Sequence, residues 1–142
     1  MTNQYLETWH AHLRGEVPGG LDELLDDDVV FYSPVVFTPQ EGKAITKLYL
    51  MAAGSTFSEG DASQAPGQAE SKFRYTKEVA AGNQLVLEFE TELQGKYVNG
   101  VDIISWNDAG KIIEFKVMVR PLQAVNMLHA QMKAMLEKMQ GS

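Results

Sequence analysis

The stretch YVNGVDIISWNDAGKIIEFKVMVRP, residues 97–121, reads as two β-strands joined by a tight turn. Its apolar runs, 101–106 and 112–119, are rich in β-branched and aromatic residues, and Asn107-Asp108-Ala109-Gly110 between them supplies the turn residues of a short hairpin. In the second run Ile113, Phe115, Val117 and Val119 alternate with Glu114, Lys116 and Arg120, the period-two pattern of a sheet with an inner and an outer face. In the first run Asp102 falls in register with Ile104 and Trp106. A carboxyl on an otherwise apolar face is costly to ionise unless it is paired, which makes Asp102 the best candidate for chemistry.

Upstream, residues 72–81 and 85–93 form two more strands around Gly82-Asn83. In the second of them Leu85, Leu87, Phe89, Thr91 and Leu93 alternate with Val86, Glu88, Glu90 and Glu92, so one face packs inward. Downstream, residues 122–139 carry Leu122, Val125, Leu128, Met132 and Met135 at helical spacing. At the start, residues 3–14 are a helix with Leu6, Trp9 and Leu13 on one stripe, stopped by Gly15 and Pro18-Gly19-Gly20. A short helix around Leu21, Leu24 and Leu25 passes through Asp26-Asp27-Asp28, read as a solvated turn, into a strand over 29–33 that Pro34 closes. Thr38-Pro39-Gln40-Glu41 has the form of a capping box and predicts a helix over 39–53, with Ile45, Leu48, Tyr49 and Ala52 buried. Residues 54–69 are small, polar and aperiodic and read as a long loop, cheap to open and placed to act as a lid. The order of elements is α+β.

The 142 residues make one domain's length, enough for a single substantial core but not for two. Hydrophobic residues at 44% and charged residues at 22% are ordinary globular composition. A net charge of −7 with 12 Lys and Arg argues against nucleic acid and against an anionic membrane surface as partners. No cysteine is present, so thiolate catalysis and Cys-ligated zinc are excluded. His10 and His12 are two apart on one helix, face different ways and cannot make a local metal pair, so neither a metal nor a cofactor is expected. Neither a signal-peptide core nor a membrane-length apolar run occurs, and a cytoplasmic location is expected.

The segments Leu24-Leu25-Asp26-Asp27-Asp28-Val29-Val30-Phe31-Tyr32-Ser33-Pro34, Gly42-Lys43-Ala44-Ile45, Gly100-Val101-Asp102 and Asn107-Asp108-Ala109-Gly110-Lys111-Ile112 resemble the nuclear transport factor 2-like superfamily. That superfamily includes ketosteroid isomerase, limonene epoxide hydrolase and the SnoaL-like cyclases. The resemblance implies a strongly curved antiparallel sheet wrapped on helices, a cone with an internal apolar pocket, and a homodimer. It places Asp102 where ketosteroid isomerase has its protonated, hydrogen-bond-donating aspartic acid. The base aspartate of that enzyme corresponds to Ser33 and its oxyanion tyrosine to Trp9. Against limonene epoxide hydrolase, the arginine position is Gly100 and the water-activating aspartate position is Val117, so neither three-residue centre is complete.

The expected site is therefore Asp102 as the acid–base group, in a pocket lined by Trp9, Tyr32, Tyr49, Phe89, Ile104, Trp106, Phe115 and Val117. A structural carboxylate bound to backbone amides or to Arg120 is the competing reading of Asp102. The expected ligand is a small apolar organic molecule, either turned over without a cofactor or simply bound. A protein-interaction module is the remaining alternative. Val101 and Ile103 point away from Asp102, and an apolar outer face of this kind is most simply covered by a second copy of the chain.

Overall fold

Alternation in the two hairpins builds one sheet in the computed structural model, which describes residues 3–62, 73–93 and 95–140. Four helices and six strands are described: α1 (Gln4–Leu13), α2 (Leu21–Leu24), β1 (Leu25–Tyr32), β2 (Gln40–Glu41), α3 (Lys43–Ala62), β3 (Arg74–Ala81), β4 (Gln84–Leu93), β5 (Lys96–Trp106), β6 (Ile112–Arg120) and α4 (Leu122–Gln140). The strand order is β2-β1-β6-β5-β4-β3. Strands β3 to β6 form an antiparallel meander, and β1 joins β6 in parallel. The fold is α+β, a curved sheet with helices against its inner face.

Curvature comes from extra residues in the ladders. Ser105 pairs with Glu114 and Trp106 with Ile112, which leaves Ile113 as a bulge on β6. The phase of β6 flips there. Ile112 is fully buried and Ile113 is exposed, so strict alternation fails at Ile113 and resumes with Phe115 and Val117 facing inward. A second bulge between Tyr75 and Lys77 bends β3 in the same manner. Gly100 of β5 allows the tightest approach, because a Cβ there would overlap the Phe89 ring and lie 2.8 Å from the Met118 carbonyl oxygen.

The hairpin turn is closed by its own side chain. Asn107 Oδ1 accepts from the amides of Ala109 and Lys111, and Gly110 takes a left-handed φ of 81°. At the same end of the sheet, Asn3 caps α1 by accepting from the amides of Tyr5 and Leu6 and donates to the Gly82 carbonyl. That tie holds α1, and with it Trp9, against the inner face of the sheet.

Four local readings are corrected. Gln40 and Glu41 pair with Phe31 and Val30 as β2, so the Thr38-Pro39-Gln40-Glu41 motif is a sheet edge and α3 begins only at Lys43, after Gly42. Ladder pairing outcompetes a capping box whose worth is about 1 kcal/mol. Helix α3 also continues through Gly54 and Gly60 to Ala62, since each glycine costs only about 1 kcal/mol and no proline intervenes. The loop reading of 54–69 therefore fails for its first nine positions, and 63–69 lie outside the described residues. Asp26, Asp27 and Asp28 belong to β1 rather than to a turn. In α4 the buried line is Ala124, Leu128 and Met132, with Leu122 at the exposed start, while the Met135 side chain lies outside the described residues. No helix of the described residues is long and apolar enough to cross a membrane.

Candidate functional site

Central position in the sheet fixes Asp102. Its strand neighbours are Leu87 on β4 and Val117 on β6, so its backbone is held on both sides and its side chain projects from the inner face. The residue is 8% exposed. Tyr75 of β3 donates its phenol to Asp102 Oδ2 at 2.9 Å, and the Trp9 indole N–H of α1 donates to the Tyr75 oxygen at 3.0 Å. Three elements thus converge on one relay, Trp9 to Tyr75 to Asp102.

Burial raises the Asp102 carboxyl to about 7, even though the Tyr75 hydrogen bond pulls it down. Burial, followed by the charge of Asp102, pushes the Tyr75 phenol well above its ordinary value, so it stays a neutral donor. Among the described residues no cation pairs with Asp102. Arg120 lies on the opposite face and donates to Asn99 Oδ1 at 3.3 Å, which removes it as the structural partner of Asp102.

Asp102 opens onto a cavity of about 390 Å³, within the range of small-molecule sites. Its wall is otherwise largely apolar: Trp9 and Leu13 from α1, Phe31 from β1, Phe89 from β4, Phe115 and Val117 from β6, and Leu128 and Met132 from α4. His12, Tyr75 and Asp102 are the titratable groups on it. Burial lowers the His12 pKa below its ordinary 6.5.

Of the sequence-derived site residues, Trp9, Phe89, Phe115, Val117 and Asp102 border this cavity. Four are placed elsewhere. Tyr32 lies under the Lys116 ammonium, 4.9 Å from ring centre to Nζ. Tyr49 packs behind Phe31 at 5.3 Å between ring centres. Ile104 and Trp106 are fully buried in the core, and Trp106 stacks on Tyr5 at 5.3 Å. Ile104 and Trp106 pack into the buried cluster with Leu24, Leu25, Leu85 and Ile112, so they fill the core instead of lining the cavity.

Tyr75 and His12 were missed from the sequence. Tyr75 sits on an edge strand whose other side chains are mostly exposed, and only the bulge beside it turns it inward. His12 did carry a signal, because it lies three residues after Trp9 on the same face of α1. Ser33, at the position of the missing base, uses its hydroxyl to accept from the amides of Val35 and Val36 at 3.1 and 3.3 Å, a local turn.

No family model and no curated protein matches the sequence. Among solved structures, the chain superposes on a steroid delta-isomerase from Pseudomonas aeruginosa with a TM-score of 0.81 at 28% identity, covering 98% of this chain and 93% of that one. A bacterial protein with a cystatin-like fold from Silicibacter pomeroyi is 30% identical over 80% of this chain and 72% of its own, with a TM-score of 0.67. An NTF2-like protein from Mesorhizobium loti, 18% identical with a TM-score of 0.61 over 83% of this chain and 89% of its own, shares the fold. With the curved sheet and helices described above, these likenesses show that the chain belongs to the nuclear transport factor 2-like superfamily.

Proposed function

We propose that this chain takes a small apolar organic molecule into the cavity and carries out acid–base chemistry on it through Asp102 without a cofactor, as an isomerase, cyclase, dehydratase or hydrolase-like enzyme. One observation carries the reading: a single carboxyl, held by Tyr75 and unpaired by any described cation, sits on an apolar wall with a pKa raised to about 7. Such a group offers a proton near neutral pH and takes it back at little cost. The likeness to a steroid delta-isomerase supports chemistry of this class. The position of Ser33 argues against the two-carboxylate form of it, since its hydroxyl is engaged in a turn and no second carboxyl borders the cavity among the described residues. That same lack favours the second reading, a non-catalytic binding protein with the same pocket.

Both readings require an apolar molecule to enter. Titration with 2-naphthol, followed by methyl NMR, is expected to give saturable shifts at Met132, Leu128 and Val117. Shifts confined to the outer sheet face, or none at all, would sink both.

A homodimer through the outer sheet face belongs to the same proposal. Val79 pairs across the sheet with Val86, Val86 with Ile103, and Val101 with Met118, which makes two adjacent apolar rows bordered by Glu88 and Lys116. Val79 is 51% and Met118 50% exposed in the single chain. A surface of this kind is normally covered. Sedimentation equilibrium at micromolar concentration is expected to give twice the chain mass, and Met118→Lys to shift it to one chain mass. A wild-type chain that stays monomeric at high concentration rules the interface out.

A further inference from the structure

We propose that His12 is the proton-accepting partner of Asp102 in the cavity, an assignment that rests on reading the cavity as a reaction site. His12 borders the same space as Asp102, with its imidazole against the Trp9 ring at 5.1 Å between ring centres. Trp9 in turn begins the relay that ends on Asp102. Among the described residues no hydrogen bond or ion pair occupies the His12 imidazole. His10, two residues earlier, differs: its Nε2 lies 2.7 Å from Glu78 Oε2 on the other side of α1. One histidine of α1 is therefore tied to the sheet, and the other is left free toward the cavity, beside the half-exposed Leu13.

The division of labour follows from the three titratable groups that face the cavity. Tyr75 is engaged at both ends, as donor to Asp102 and acceptor from Trp9, and it stays protonated. Asp102 holds its proton through most of the range below neutrality. Burial lowers the His12 pKa, which favours the uncharged imidazole with its free lone pair. Two groups whose environments push their pKa values in opposite directions are the expected arrangement of an acid and a base.

The step balances without an oxidant or reductant. A C–H bond of the bound molecule breaks and its proton passes to an imidazole nitrogen of His12. The electron pair stays on the molecule and moves toward an oxygen that accepts the Asp102 hydrogen bond. The imidazolium then returns the proton to another atom of the same molecule or to water. The substrate class is a small apolar carbon acid with one oxygen able to accept a hydrogen bond.

The probe is 5-nitrobenzisoxazole, an apolar bicyclic carbon acid. Base removes its ring C–H proton, the electron pair forms a nitrile, the N–O bond breaks, and a coloured phenolate leaves with its oxygen toward Asp102. The wild-type chain is expected to accelerate this elimination over buffer. His12→Gln should lower kcat by about 100-fold and change KM by less than about twofold. Added imidazole should restore part of the rate to His12→Ala, and Asp102→Asn, which keeps a donor, should lose less than His12→Gln. The reverse ordering makes Asp102 the base and overturns the proposal. A loss in His12→Gln without imidazole rescue of His12→Ala makes His12 a packing residue and overturns it too. If the probe displaces 2-naphthol from the Met132 methyl but wild type does not turn it over, the proposal falls and the binding site stands. Failure of the probe to displace 2-naphthol, with 2-naphthol itself giving no shift there, overturns both.

Discussion

Asp102→Asn is expected to be more stable than the wild-type chain at pH 8, by on the order of 4 kcal/mol, with the difference vanishing toward pH 4. Burial lifts the folded-state carboxyl from 3.8 to about 7. Across that window the folded chain retains a proton that the unfolded chain has released. Stability from this group is therefore fully present below the unfolded value and is lost as pH rises through about 7. Each unit of difference is worth about 1.4 kcal/mol, and about three units separate the two states. Asparagine keeps an acceptor for the Tyr75 phenol and a donor toward the cavity, yet it never ionises. Urea unfolding of both proteins from pH 4 to pH 8 measures the difference. A variant less stable than wild type at pH 8, with the gap closing in acid, would mean a depressed pKa and would remove the basis of the proposed proton donor.

Tyr75→Phe should act on the same carboxyl from the other side. The phenol donates the hydrogen bond that lowers the Asp102 pKa, so its removal should carry that pKa above about 7. The Trp9 indole N–H loses its acceptor at the same time. An unsatisfied donor in this setting costs about 1–3 kcal/mol, while the aromatic packing with Phe73, at 5.3 Å between ring centres, is retained by phenylalanine. Carbon-13 titration of the Asp102 carboxyl and urea unfolding at pH 5 give the two readouts. An unchanged or lowered Asp102 pKa would show that the relay does not act on the acid.

Much of the fold was legible because neighbouring strands pair in order. The period-two patterns of 85–93 and 101–106 correctly put Leu87, Phe89, Asp102, Ile104 and Trp106 on the inner face, since an in-register ladder carries one strand's alternation onto the next. The helices at 3–14 and 122–139 were legible from spacing, though α4 turned its Ala124–Leu128–Met132 line inward. A small residue at 124 admits the close approach that Leu122, at the exposed start, does not make.

Where the sequence misled, a longer-range interaction won over a local one. The Thr38-Pro39-Gln40-Glu41 motif obeys helix-capping rules, but Gln40 and Glu41 found strand partners in β1. Ile113 follows the alternation of its strand, but a bulge took one residue out of the ladder and exposed it.

By itself the sequence determined the α+β class, the inward Asp102 and the superfamily, because these depend on local periodicity and short motifs. Only tertiary structure decided what surrounds the acid. Tyr75 and Asp102 are 27 residues apart, and their hydrogen bond exists because the bulge beside Tyr75 turns it inward while Val79, on the same side by simple alternation, faces out. His12 meets that site because Asn3 ties α1 to the Gly82 turn and sets the angle of the helix over the sheet. A bulge and a helix angle are set by the packing of whole elements, and neither leaves a periodic trace in the residues that depend on it.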